Sequence, residues 1–156
     1  MIGLFALALA AGSAVTAYDC AVPPPKMLNV QGGVASLTTI GLPGNDAAGW
    51  KFRIERSAGK DARAKVIWPA DPMQIAGNWP LISTGKDAYA FAPVSAGPCL
   101  LTETACLSTV QLIDQPDGGA RIMIQPTAFS SDEAAGTRLP FIVVIEGACT
   151  RAGENK

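Results

Sequence analysis

From Trp50 to Arg56 the chain alternates apolar and charged residues without a break, with Trp50, Phe52 and Ile54 on one side and Lys51, Arg53 and Glu55 on the other. Only an extended strand sorts a period of two into one dry and one wet face, since a helix turns once in about 3.6 residues. Ser57 to Asp61 reads as a turn and Ala62 to Trp68 as the returning strand. Residues 50–68 are therefore expected to form a hairpin with one solvated face.

The same grammar extends along the chain. Met27 to Ile40 reads as two short strands around Gly32-Gly33, and Asp87 to Ala92 as a strand. Cys106 to Gln115 and Ala120 to Pro126 form a second hairpin across Pro116-Asp117-Gly118-Gly119. Leu139 to Glu146 is apolar on both faces and β-branched, which suits a central strand. Pro69, Pro72 and Pro80 mark Pro69 to Lys86 as loop, and Ala128 to Gly136 is the one stretch that could hold a helical turn. With 16 glycines, 12 prolines and 16 % charged residues, a coiled coil, a long helical bundle and a disordered tail are excluded. The expected fold is all-β: one small antiparallel β-sandwich or barrel-like domain of about seven or eight strands.

Met1 to Ala17 holds 13 apolar residues and no charged side chain. Ile2 to Ala11 has the length of a signal-peptide core and is too short to span a bilayer. Val15-Thr16-Ala17 offers small or medium residues where a signal peptidase reads, which places cleavage after Ala17, with Ala14 as second choice. The segment lacks the usual Lys or Arg before its apolar run. The division expected is a leader at 1–17, one β-rich domain at 18–150 and a polar tail at 151–156. Tyr18 and Asp19 before Cys20 do not fit a lipobox, and no transmembrane span remains once the leader is gone.

In an exported chain, four cysteines without a CxxC pair and without any histidine imply disulfides rather than zinc or redox chemistry. Cys99 and Cys106 flank a six-residue loop, and Cys20 and Cys149 lie near the two ends of the domain. The pairings expected are Cys99–Cys106 and Cys20–Cys149, so two disulfides. On chain entropy the first stabilises by up to roughly 2.5 kcal/mol and the second by up to about 5.

The absence of histidine removes the usual general base for a serine or cysteine nucleophile and the commonest zinc ligand. Ser83-Thr84-Gly85-Lys86 matches S-x-x-K, but that pairing needs a helix, which Gly85 and Pro80 oppose. Pro80 stands where a P-loop needs its first glycine. The carboxylates are scattered and mostly placed at turns, with Glu146 at the end of the central strand the one to inspect. No catalytic residue, cofactor or metal is expected.

Two features point to binding. Residues 51–65 carry six basic groups and two acidic ones, a net +4 in a chain of net charge −1. Lys51, Arg53, Arg63 and Lys65 should share one exposed face, with like charges opposite each other at a cost in stability. Such a face suits an anionic partner or, more blandly, a solvated edge protected from pairing. Trp68 and Trp79, each followed by proline, bracket a loop that could present a platform to a sugar or peptide, or could pack over the open end of the domain. The balance of 12 basic and 13 acidic residues gives no global attraction to nucleic acid.

These readings combine into an exported, non-catalytic binding module, periplasmic or secreted by a bacterium, that meets an anionic envelope component or another exported protein. The alternative is a disulfide-bonded inhibitor of an exported protease or lysozyme. A hydrolase using paired carboxylates ranks third.

Overall fold

The alternating segment forms strand β4 (Trp50–Ser57), which turns into β5 (Arg63–Ile67). Trp50, Phe52 and Ile54 are buried with Ala64 and Val66, while Lys51, Arg53, Arg63 and Lys65 point outward. A computed structural model describes residues 14–31, 34–39, 49–99, 102–132 and 137–153; side chains at 27, 29–34, 95–106 and 127–142 lie outside the description.

The other described strands are β1 (Val15–Val22), β2 (Lys26–Gln31), β3 (Val34–Thr39), β6 (Gly77–Thr84), β7 (Ala88–Phe91), β8 (Val94–Cys99), β9 (Thr102–Asp114), β10 (Ala120–Asp132) and β11 (Thr137–Arg151). Eight of them follow one another by hydrogen bonding in the order β1-β4-β5-β6-β7-β9-β10-β11, and β1 pairs back onto β11. All these pairings are antiparallel, so the sheet closes into an eight-stranded barrel rather than a sandwich. The β2–β3 hairpin extends the sheet from β11, and β8 pairs with β9.

Closure leaves one apolar interior. Cys20, Val22, Phe52, Ile54, Val66, Phe91, Val110, Leu112, Ile122, Ile124, Val143 and Ile145 fill it from successive strands. Burial of this set is the main stabilising term, at about 25 cal/mol for each Å² of apolar surface removed from water. The disulfide Cys20–Cys149 joins two residues that face each other across the β1–β11 seam, so the bond expected between the chain ends lies where the barrel closes. The side chains of Cys99 and Cys106, and with them the second disulfide expected, lie outside the description.

Several expectations are revised. Residues 77–84 form a strand, not a loop, despite Pro80. The amide of Leu81 donates to Ala62 on the β5 side, so the nitrogen of Pro80 faces the other way, ahead of the first β6–β7 rung at Leu81↔Phe91. Proline is tolerated there because no ladder bond is lost. Residues 128–132 continue β10 instead of turning helically, because they pair with β11 from Ala128↔Phe141 to Asp132↔Thr137. Arg151 is the last residue of β11 rather than the first of a tail.

Candidate functional site

The outward face of β1, β4, β5 and β6 holds the four cations singled out by sequence, but not as opposed like charges. Arg53 lies opposite Asp19 on one side and Ile67 on the other, and its guanidinium is 3.5 Å from the Asp19 carboxylate. Lys65 lies opposite Glu55, at 3.6 Å. Arg63 donates from Nε to the side-chain oxygen of Asn78 at 3.1 Å and from Nη2 to its carbonyl at 2.9 Å. The repulsion expected between the strands is absent because the ladder is offset and β1 contributes an acid that the hairpin lacks. Among the described residues Lys51 makes no ion pair.

Beside Lys51 and Arg53 runs a groove of about 440 Å³, lined also by Asp19, Ala21, Ile67 and Pro69. Ile67 is 37 % exposed, so two cations border an apolar strip. The Arg53–Asp19 pair is solvent-exposed and contributes little, about 0–1 kcal/mol, so its guanidinium can exchange partners readily. Asp19, Ala21 and Pro69 were not legible as members of this face, because the sequence does not say that β1 pairs with β4.

The tryptophan loop closes one end of the barrel. Trp68 is buried, stacked on Phe52 with ring centres 4.5 Å apart and edge-on to Trp50 at 5.3 Å. Met73 and Ile75 from the loop are buried in the same core. The Asp71 carboxylate accepts from the amides of Met73 at 3.0 Å and Ala76 at 2.5 Å, which fixes the loop. Trp79 is half-buried on β6 and donates from Nε1 to the Ile75 carbonyl at 2.8 Å. Trp68 thus has no free face for a sugar or peptide. The two tryptophans are parts of a lid.

A polar cluster that sequence reasoning missed closes the opposite end. Arg56 is the next inward position after Ile54. Its guanidinium lies 3.5 Å over the Tyr89 ring and donates to Asp114 Oδ2 at 3.3 Å. Tyr18 donates its phenol to Asp114 Oδ1 at 2.7 Å. Tyr18, Arg56 and Asp114, with Thr16, Gln115 and Arg151, line a pocket of about 140 Å³ under the β9–β10 turn. Burial, and then the hydrogen bond to Asp114, push the Tyr18 phenol above its ordinary pKa of 10.0, with Arg56 pulling partly back. No signal in the sequence brings Asp114 to Arg56, which is 58 residues away.

Six of the described carboxylates have partners. Asp19, Glu55, Asp114 and Glu146 pair with Arg53, Lys65, Arg56 and Arg121, while Asp71 and Asp117 accept from turn amides. Four of these six are strand residues rather than turn residues. Glu146 is exposed on the outside of β11. Ser83 stands on β6 and Lys86 in the turn beyond it, an extended geometry that does not set the lysine against the serine as a helix would.

Fold and site together define a class, the disulfide-closed antiparallel β-barrel with an apolar core and a basic outer face. Set against known proteins, the chain matches no family model and no curated relative.

Proposed function

We propose that this protein is an exported, non-catalytic binding module of the bacterial envelope, which docks an anionic amphiphile on the outer face of β1, β4 and β5. The observation that carries the reading is the groove in which Lys51 and Arg53 stand beside Ala21, Ile67 and Pro69. Cations next to an apolar strip suit a ligand that carries a phosphate or carboxylate on an apolar body. The described residues facing the interior are mostly apolar, whereas Lys51 and Arg53 stand on the outer wall, which supports an external site.

The export half of the reading is supported by the apolar leader and by a disulfide, which persists in an oxidising compartment. Cys20 spends its sulfur in that bond and so has no thiol for a lipid anchor. The orientation of the barrel wall favours a water-facing molecule: a membrane barrel turns its apolar side outward, whereas β4 and β5 turn theirs in.

The test is binding to vesicles containing phosphatidylglycerol, compared with purely zwitterionic vesicles. The wild-type chain should bind only the anionic vesicles and should release with added salt. A Lys51→Glu/Arg53→Glu variant should bind at least roughly 30-fold more weakly, given about 1 kcal/mol for each surface cation removed. Equal binding by variant and wild type would discard this face. A salt-tolerant 1:1 complex with an exported hydrolase would put the inhibitor reading in its place.

A further inference from the structure

Val15, Thr16 and Ala17 are strand residues in the barrel wall. They lie opposite Ser57, Arg56 and Glu55, and they make up three of the eight rungs between β1 and β4. The carbonyl of Ala17 accepts from the Ala152 amide at 2.8 Å, beyond the last β1–β11 rung at Tyr18↔Arg151. Thr16 forms part of the wall of the polar pocket with Tyr18, Arg56 and Asp114. A cut after Ala17 would therefore leave the β4 residues 55–57 without neighbours on the β1 side, take the acceptor from Ala152 and open the pocket. Ala14 is exposed and stands just outside β1, and although its carbonyl accepts from the Ala58 amide at 3.2 Å, a cut after it costs that one bond and none of the eight β1–β4 rungs.

We propose that the leader is removed at the Ala14–Val15 bond, so that the processed chain begins with the first residue of β1. Hydrolysis of that peptide bond by a signal peptidase consumes one water, leaving a carboxylate on Ala14 and an amine on Val15. Gly12 and Ala14 supply the small residues that such an enzyme reads two positions apart. A domain released from its leader can complete the β1–β4 ladder only if it keeps residues 15–17, because the backbone groups of the facing strand have no other neighbour on that side. This inference rests on the export reading above.

The experiment is the intact mass, with N-terminal sequencing, of the full chain produced in a bacterium and recovered from both the envelope and the cytoplasm. We expect an envelope form that starts at Val15. Ala14→Leu should block that processing, whereas Ala17→Leu should not. An envelope form starting at Tyr18, or processing blocked by Ala17→Leu alone, overturns the site while leaving export intact. A chain that keeps Met1 and stays in the cytoplasm overturns the export reading itself, and the site with it. A chain begun at Tyr18 should also melt roughly 5–10 °C below one begun at Val15; equal melting would remove the structural reason for the site.

Discussion

Tyr18 shows how a single residue ties the barrel wall to its solvent. Its phenol is held neutral by burial and by Asp114, so its folded pKa stands above the ordinary 10.0. The neutral form is thus favoured by folding, and the stability this contributes is complete below pH 10. It is lost as the pH rises through the raised value. We expect stability, followed by denaturant melts, to fall as the pH is taken above about 10, and Tyr18→Phe to remove that part of the fall. At neutral pH the same variant should cost about 1 kcal/mol, one hydrogen bond to a carboxylate that Arg56 still holds. An alkaline limb unchanged by the variant would contradict this account. Sequence marked Arg56 only as one of six cations in the hairpin. Its partner and its burial were set by strands that lie far away along the chain.

At the scale of elements, the seam between β1 and β11 is closely fitted. A Cβ built on Gly147 would lie 2.4 Å from the Ala21 carbonyl oxygen and 2.5 Å from Val22 Cγ1. Backbone cannot yield there without parting the two strands. Gly147→Ala should therefore destabilise by about 1–3 kcal/mol, read as a lower denaturation midpoint with unchanged secondary structure by circular dichroism. An equally stable variant would show that the strands separate at no cost. Both hairpins were legible because their residues alternate or are joined by a short polar turn. Strand β6 was not, since three prolines suggested a loop and only its pairing shows that the nitrogen of Pro80 faces away from the ladder. The four cations are exposed on β4 and β5. Their neutralisation by Asp19, Glu55 and Asn78 was missed, because cross-strand register depends on turns and bulges that composition does not record.

For the whole molecule, closure makes the difference between a sheet with two open edges and a barrel with an enclosed core. The disulfide sits at the closing seam and spans 129 residues, so it removes much of the unfolded chain's freedom. Cys20→Ser/Cys149→Ser, or reduction, should cost about 2–5 kcal/mol and lower the melting temperature. A reduced protein as stable as the oxidised one would mean that the strand ladder alone holds the seam.

The sequence by itself determined that the chain is all-β, that its hairpins are antiparallel, where the hairpin cations face, and that Cys20 and Cys149 belong together, but not that β9, β10 and β11 run to 13, 13 and 15 residues. Each of these follows from local periodicity, turn chemistry or the position of the chain ends. Tertiary structure alone decided that the sheet closes, that β1 lies between β4 and β11, and that Trp68 is lid rather than platform. It also decided that Asp19 completes the basic groove and that Asp114 meets Arg56. These are contacts between residues distant in sequence. They are fixed by the way one apolar face wraps around a common core, a property of the whole sheet that no segment of the chain carries.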